Sequence, residues 1–200
     1  MKSSIPYLDK YFPRMDSKQL EKIQYDDEGL YSITPPSTAS TICNEILTRV
    51  SSSNAIVFDA FGGLGGNTFS FSSYFSRVIV SELSSDRFMM LLNNISVLGY
   101  KNITTYNGPF QELLGIINYD VIFLDPPWGG KDYKKNDKMT FDIDEIPLSV
   151  ICFNIVSQKQ CRLLVIKLPL NYDLDSFNNI KERITVTRLK KVMILYISCD

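Results

Sequence analysis

Histidine is absent from the 200-residue sequence. Catalytic triads and metal sites that depend on an imidazole are therefore excluded. The four cysteines lack the paired spacing of zinc ligands, so we expect reduced thiols, no bound metal and an intracellular protein. These cysteines are Cys43, Cys152, Cys161 and Cys199. Without an imidazole, the favoured chemistry is one that needs little acid–base help.

Long apolar runs are also missing. No apolar run approaches the roughly 18 residues of a membrane span, and the N-terminus has no apolar signal region. We therefore expect neither export nor a membrane span. The expected location is the nucleus for a protein of a cellular eukaryote and the cytoplasm for a viral protein.

A strong excess of positive charge is missing as well. The formal net charge of −1 gives no overall attraction to nucleic acid, so an RNA ligand requires a local basic patch. Two clusters are candidates, although each is equally typical of a solvated surface. The first comprises Lys131, Lys134, Lys135 and Lys138. The second comprises Lys181, Arg183, Arg188, Lys190 and Lys191.

Apolar, strand-like segments alternate with capped, helix-like segments along most of the chain. The hydropathy pattern predicts strands at 55–61, 77–82, 103–107, 119–127 and 162–170, with a final pair within 184–198. It predicts helices at 39–50, 67–75, 85–100, 110–117 and 142–158. Such alternation favours parallel pairing, and the final pair favours one antiparallel edge.

The predicted fold is therefore α/β, with a mostly parallel, doubly wound, Rossmann-like sheet and an antiparallel edge strand. The hydrophobic content of 44% is enough for one sizeable core. We expect residues 1–34 to form an N-terminal extension or lid over the active site, and residues 35–200 to form the catalytic domain.

A glycine-rich turn, FGGLGG, follows the first predicted strand. Asp59 stands at the carboxyl end of that strand, where open α/β sheets bind ligands, and Gly63 and Gly65 let the backbone approach one closely. Asn67 opens the next helix. A dinucleotide pyrophosphate or a merely structural turn are alternatives, but the spacing is not G-x-G-x-x-G, and an acid suits an amino-acid ammonium better.

Glu82 ends the second predicted strand, about 20 residues after the glycine turn, and is well placed to accept both ribose hydroxyls. Jointly, Asp59 and Glu82 describe a site for S-adenosylmethionine. Asp59 would lie near the methionine end of the donor and Glu82 on its ribose.

The fourth predicted strand ends in Asp125-Pro126-Pro127-Trp128, where two missing backbone donors force the strand to stop. Acid-Pro-Pro-aromatic is typical of methyltransferases that act on exocyclic amines of bases. The lone pair of such an amine is delocalised into the ring. If the Asp125 side chain and the Pro126 carbonyl accept hydrogen bonds from the amine, they would favour its pyramidal, nucleophilic form. In-line transfer from a sulfonium then needs mainly orientation and charge placement.

Trp128 is expected to stack on the target base. Tryptophan is the strongest cation–π partner, so its presence favours a base that carries positive charge, such as 7-methylguanine. A core tryptophan after a strand is the alternative interpretation.

The sequence resembles the trimethylguanosine synthase family, which hypermethylates the m7G caps of small nuclear and nucleolar RNAs. The resemblance covers nearly the whole chain and is carried by the ordered stretches DDEGLYSITP, VFDAFGGLGGNT, NNISVLG, DPPWGGKDY and TFDI. The resemblance implies S-adenosylmethionine binding by Thr34, Asp59, Gly63, Gly65, Asn67 and Glu82. It implies cap binding by Trp128, Asn94, Tyr133 and Lys131, and catalysis by Asp125, Pro126 and Trp128.

The chain departs from the family pattern at four positions. Asp125 replaces a serine and Gly62 a cysteine. Pro109 stands where the family has an acid, and Leu170 stands where it has a basic residue that meets the cap phosphates. Lys167 or the lysines at 131–138 are candidates to compensate for Leu170. Tyr133 as a surface aromatic and Asn94 as a helix-surface amide remain alternatives.

The favoured function is an S-adenosylmethionine-dependent RNA cap guanine-N2 methyltransferase that converts m7G to 2,7-dimethyl- or 2,2,7-trimethylguanosine. We expect a monomer whose substrate is m7G-capped RNA, either small nuclear or nucleolar RNA or viral or cellular transcripts. One alternative is an N2-guanine or N6-adenine methyltransferase of ribosomal or transfer RNA, which free cap analogue would not inhibit. Another is a non-catalytic cap- or S-adenosylmethionine-binding module.

Overall fold

The predicted strands all occur in the predicted order, together with a short hairpin at 142–147 that was not predicted. The structure is a computed structural model that describes residues 8–130 and 137–200, with only the backbone for Asp9. Its strands are β1 (Ile56–Asp59), β2 (Arg77–Glu82), β3 (Ile103–Asn107), β4 (Val121–Leu124), β5 (Asp142–Ile143), β6 (Ile146–Pro147), β7 (Leu163–Pro169), β8 (Ile184–Arg188) and β9 (Val192–Ser198).

The helices connect these strands and extend toward the N-terminus. The α-helices are α1 (Ser17–Leu20), α2 (Asp27–Ser32), α3 (Pro36–Val50), α4 (Gly66–Tyr74), α5 (Ser85–Leu98) and α6 (Leu148–Ser157). 3-10 helices span Leu8–Lys10, Phe110–Leu113 and, with a kink at Phe177, Leu174–Arg183.

Seven strands form one sheet in the order β3-β2-β1-β4-β7-β9-β8. The pairs among β1, β2, β3, β4 and β7 are parallel, whereas β9 runs antiparallel to both β7 and β8. This arrangement confirms the predicted fold class. The antiparallel pairing lies at the predicted edge, and the reversed strand is β9, next to the edge strand β8.

Successive side chains of the central strands point to opposite faces of the sheet, and both faces are covered. Val57, Phe123 and Val165 pack beneath α3, whereas the adjoining Phe58, Ile122 and Ile166 pack beneath α6. All residues of β4 and β7 are buried, which is why their sequences are apolar runs, interrupted only by Lys167 in β7, rather than alternating patterns.

Two predicted helices differ from the structure. The segment predicted as a helix at 142–158 begins with the β5–β6 hairpin, which turns at Asp144 and Glu145 with positive φ angles of 50° and 66°. The helix α6 starts only after Pro147. The segment 110–117 forms a single 3-10 turn that ends at Leu113, after the extended backbone at Pro109.

The N-terminal part of the chain packs against the edge of the sheet that carries the glycine turn. Leu8, Phe12 and Ile23 are buried together with Leu64 and Phe69. Arg87 of α5 pairs with two acids of this part at nitrogen–oxygen distances of 2.9 and 3.1 Å. Whether residues 1–34 act as a lid stays a prediction.

All four cysteines are free and buried, and the sulfur atoms of Cys161 and Cys199 lie 3.6 Å apart. Across residues 8–130 and 137–200, no helix combines the length and apolar character that crossing a membrane would require.

Candidate active site

The sheet brings its chemistry-bearing acids to one edge. Asp59 ends β1, Glu82 ends β2 and Asp125 directly follows β4. Asp59 pairs in register with Val80 of β2 and Phe123 of β4, and these three strands are parallel. Their carboxyl ends therefore lie together, as the strand assignment predicted.

Asp125 lies at the centre of a polar cluster. Its Oδ2 accepts hydrogen bonds from Lys167 Nζ at 2.7 Å, Asn67 Nδ2 at 3.1 Å and Thr34 Oγ1 at 3.3 Å. Lys167 Nζ also donates to Thr34 Oγ1 at 2.8 Å. Three residues identified from the sequence, Thr34, Asn67 and Asp125, are thus in direct contact although they come from three separate segments.

Lys167 is the member of this cluster that sequence reasoning missed as a partner of Asp125. Its side chain is 6% exposed and that of Asp125 is 13% exposed, so the ion pair is largely shielded from solvent. A buried lysine requires an opposite charge, because an unpaired ammonium is costly to desolvate. The signal was present, since Lys167 is the single charged residue in the apolar strand LLVIKLP.

Asp59 is fully buried, and its Oδ2 accepts a hydrogen bond from Thr68 Oγ1 at 2.6 Å. Burial raises the pKa of Asp59 to about 7, and the nearby carboxylates of Asp125 and Glu82 act in the same direction. Asp59 therefore changes charge near neutral pH.

Glu82 accepts hydrogen bonds from two backbone donors, one of them in the glycine turn. Its Oε2 accepts from the Gly63 N–H at 2.8 Å, and its Oε1 accepts from the Ser84 N–H at 2.9 Å. Each carboxylate oxygen retains further acceptor capacity for a hydroxyl. Gly63 has a positive φ of 52° and open space where a Cβ would stand, so the turn leaves room beside Glu82.

Gly65 has a structural reason to be glycine. Its φ of 101° is in the region that favours glycine, and a Cβ would lie 2.2 Å from the ring of Phe69. This packing fixes the turn at the start of α4, where Asn67 sits.

The residues at this edge suit S-adenosylmethionine. Two buried acceptors, Asp59 Oδ1 and Asn67 Oδ1, have no hydrogen-bond partner among the described residues. An amino-acid ammonium supplies donors of the kind that such acceptors lack. The Glu82 carboxylate offers acceptors for ribose hydroxyls beside the open space at Gly63. Assignment of these residues to the donor stays a proposal.

Trp128 lies beside the same cluster. It is half-buried, follows the buried Pro126 and the exposed Pro127, and belongs to none of the three buried apolar clusters. Lys167 Nζ lies 5.3 Å from the centroid of the Trp128 ring. The aromatic ring, the cation and the Asp125 carboxylate are therefore close neighbours.

Asn94 is not brought to this cluster. Its side chain is fully buried, its Nδ2 donates to the Gln24 carbonyl and its Oδ1 accepts from the Gln24 N–H, both at 2.9 Å. A weaker bond of 3.4 Å reaches the Leu64 carbonyl. In this structure Asn94 therefore joins α5 to the N-terminal segment, and the alternative of a helix-surface amide is excluded.

The remaining predicted cap contacts are only partly covered by the structure. Lys131 and Tyr133 lie outside the described residues. Lys138 is exposed and pairs with Asp173 at 3.1 Å and with Asp175 at 3.2 Å, so its charge is already neutralised. Leu170 is 42% exposed just beyond β7.

The sequence match decides the family. Residues 54–200 match the RNA cap guanine-N2 methyltransferase family. The chain belongs to this family. Membership, together with the fold, identifies the chain as an S-adenosylmethionine-dependent methyltransferase, as the sequence predicted.

Relatives occur in a virus and in fungi. The chain is 29% identical to an uncharacterized protein of Acanthamoeba polyphaga mimivirus, over 93% of this chain and 83% of that protein. It is 26% identical to the trimethylguanosine synthase of Saccharomyces cerevisiae, over 94% of this chain and 60% of the yeast protein. It is 28% identical to the trimethylguanosine synthase of Schizosaccharomyces pombe, over 81% of this chain and 67% of that protein. The chain thus spans 60% of the length of the first of these synthases.

Solved structures support the fold. A methyltransferase of Geobacter sulfurreducens superposes with a TM-score of 0.64 at 16% identity, over 96% of this chain and 93% of that one. An O-methyltransferase of Bacillus cereus, solved in complex with SAH, superposes with a TM-score of 0.61 at 14% identity, over 96% of each chain. At these identities the likeness concerns the fold alone.

Proposed function

We propose that the protein methylates the exocyclic N2 amine of the m7G cap of RNA and yields 2,7-dimethyl- or 2,2,7-trimethylguanosine. The observation that carries this proposal is the Asp125-Pro126-Pro127-Trp128 segment, with Asp125 paired to a buried lysine beside the Trp128 ring. The family match and the names of the two fungal relatives support it.

The donor is held by the first two strand ends. Asp59 and Asn67 offer buried acceptors to the methionine ammonium, and Glu82 offers its carboxylate to the ribose hydroxyls. When bound, S-adenosylmethionine would supply a methyl group on a sulfonium with the sulfur as leaving group, and the proton lost from N2 would pass to water. The protein then has to orient the amine rather than to transfer protons over a distance.

Asp125 and Pro126 orient that amine. The Lys167 ammonium pairs with the Asp125 carboxylate at 2.7 Å, and a carboxylate only accepts hydrogen bonds. Asp125 Oδ2 accepts hydrogen bonds from all three donors of the cluster, and Oδ1 accepts none of these bonds. Oδ1 and the Pro126 carbonyl are the acceptors that we assign to the N2 hydrogens, so that the nitrogen lone pair turns toward the methyl group.

Trp128 selects the methylated base. A 7-methylguanine ring carries a positive charge and gains cation–π energy on a tryptophan face, whereas guanine does not. Lys167 lies near the same ring, and its charge is compensated by Asp125. A cationic base at Trp128 therefore does not meet an uncompensated positive charge.

A second candidate is an N2-guanine or N6-adenine methyltransferase that acts on unmodified bases of ribosomal or transfer RNA. Asp125 favours it, because an aspartate rather than the serine of the trimethylguanosine synthase pattern precedes the two prolines. Such an enzyme would leave m7GTP unmethylated, and free m7GTP would not compete with its RNA substrate.

The deciding experiment is methyl transfer from S-adenosylmethionine to m7GTP and, in parallel, to GTP, with mass spectrometry of the products. We expect m7GTP alone to gain one or two methyl groups. Equal methylation of GTP would overturn the cap assignment. Donor binding in calorimetry without product on m7GTP, GTP or long RNA would indicate a non-catalytic binding module.

A further inference from the structure

The second basic cluster of the sequence is divided between two ends of the sheet, the end at which β7 begins and the end at which β7 stops. Lys181 and Arg183 precede β8. The first residue of β8 pairs with Ile197 of β9, and Ile197 also pairs with Leu164 near the amino end of β7. Arg188 ends β8 and pairs with Met193, which lies opposite Leu168 near the carboxyl end of β7. The carboxyl end of β7 is also the edge that carries Asp125, because β4 and β7 are parallel.

Lys190 and Lys191 form the connection between β8 and β9. The Leu189 N–H donates to the Val192 carbonyl at 2.8 Å, so the two lysines occupy a two-residue hairpin loop. Together with Arg188 they are called the hairpin tip. The flanking Leu189 and Val192 pack against the buried cluster beneath α3 and hold the tip in place.

The charge of the hairpin tip is not neutralised by the described parts of the chain. All three side chains are exposed, and residues 184–192 include no acid. No ion pair of theirs occurs within residues 8–130 and 137–200. Other cations differ in this respect, since Arg49 pairs with Glu45 and Lys138 pairs with Asp173.

The hairpin tip lies at the same end of the sheet as Asp125. The pairing of Leu124 with Ile166 sets Asp125 level with Lys167, which lies opposite Ile194 of β9. Val192, the first residue of β9, lies two residues before Ile194 in the chain, and the loop residues Lys190 and Lys191 directly precede it. Two strand spacings separate β4 from β9, which corresponds to a lateral distance of about 10 Å.

We propose that Arg188, Lys190 and Lys191 bind the phosphodiester backbone of the RNA that follows the cap. This inference rests on the proposed function, because it requires a capped base at Asp125. A chain with a net charge of −1 has no general attraction for RNA, so a compact patch beside the active site is where backbone binding has to be concentrated. The hairpin tip would bind phosphate groups and would not distinguish base sequences.

The test compares the triple variant Arg188→Ala, Lys190→Ala, Lys191→Ala with the unaltered protein on m7GTP and on an m7G-capped RNA of about 20 nucleotides. Three lost phosphate contacts predict a rise of about 10- to 100-fold in KM for the capped RNA near 0.1 M salt. They also predict that the slope of log affinity against log salt becomes smaller by about 2. The kcat and KM for m7GTP should not change.

A charge-matched control removes Lys101, Lys181 and Arg183, which are exposed at the amino edge of the sheet. The control should leave KM for capped RNA unchanged. Equal KM values for tip variant and control would overturn the inference while m7GTP methylation still supports the proposed function. If m7GTP is not methylated, fluorescence anisotropy with the same RNA tests the tip directly, and equal affinities would again overturn it. The double variant Lys190→Gln, Lys191→Gln, confined to the exposed loop, serves if the triple variant unfolds.

Discussion

Lys167 and Asp125 form an ion pair of 2.7 Å between the middle of β7 and the residue that follows β4. Thr34 and Asn67 bond to the same carboxylate oxygen, so one contact links the N-terminal segment, the glycine turn and the proline segment. The trimethylguanosine synthase pattern has a serine at the Asp125 position. A serine needs no counter-ion, whereas a buried aspartate does, and Lys167 supplies it.

Replacement of Lys167 by methionine should lower the free energy of unfolding by about 3 kcal/mol, because it leaves Asp125 largely buried without a cation. The matched variant Asp125→Asn, Lys167→Met removes both charges and should recover much of that loss. Urea unfolding of the two single variants and the double variant gives the coupling free energy. Strictly additive effects would show that the pair is not coupled.

Asp59 should make the stability of the protein depend on pH. Burial raises its pKa to about 7, above the value near 3.9 of an unfolded chain, so the folded state binds the proton more tightly. The stabilisation is therefore complete below about pH 3.9 and is lost as the pH rises through 7, at up to about 1.4 kcal/mol per pH unit. The difference in unfolding free energy between the unaltered protein and Asp59→Asn should fall from pH 5 to 7 and then level off. A flat difference over this range would contradict the shift.

The affinity for S-adenosylmethionine should also depend on pH through Asp59, but it should rise with pH, whereas the stabilisation by Asp59 falls. Below pH 7 Asp59 is mostly protonated and attracts a methionine ammonium weakly, whereas above pH 7 it is ionised. Calorimetry should show that affinity for S-adenosylmethionine rises from pH 6 to pH 8, by up to about 10-fold, the change in ionised fraction per pH unit below the pKa. Proton release on binding should be detectable at pH 6. Asp59→Asn should bind more weakly and without this pH dependence.

Replacement of Trp128 by alanine should raise KM for m7GTP by about 10- to 100-fold, because a stacking contact with a base is worth roughly 1–3 kcal/mol. Phenylalanine at this position should give an intermediate value. Donor binding measured by calorimetry should be largely retained in both variants. Equal loss of donor binding and thermal stability would instead support a core role for Trp128.

Replacement of Asn94 by alanine should loosen the N-terminal segment, since two bonds of 2.9 Å to Gln24 are lost. We expect a loss of about 1–3 kcal/mol in the free energy of unfolding, the cost of buried polar groups left unpaired. Hydrogen exchange should increase most around Gln24 and less in α5. An unchanged exchange pattern with a raised KM for m7GTP would favour the cap-binding role expected from the sequence.

The fold could be predicted because its signals are local. Apolar β-branched runs, glycine turns and capped helices repeat along the chain, and their alternation specifies a parallel sheet. The same reasoning placed Asp59, Glu82 and Asp125 at one edge, since parallel strands end together. It failed at 142–147, where a short hairpin precedes α6 although the segment has an acidic, helix-start composition.

Sequence by itself therefore determined the fold class, the strand ends that carry the acids, and the family. Tertiary structure decided which side chains meet. The contact of Asp125 with Lys167, the inward position of Asn94 and the division of the basic residues around β8 all follow from strand order and register. Sequence periodicity shows which face of an element is apolar, but it does not show which strand lies beside it or at what register. Those are fixed only when the layers pack together.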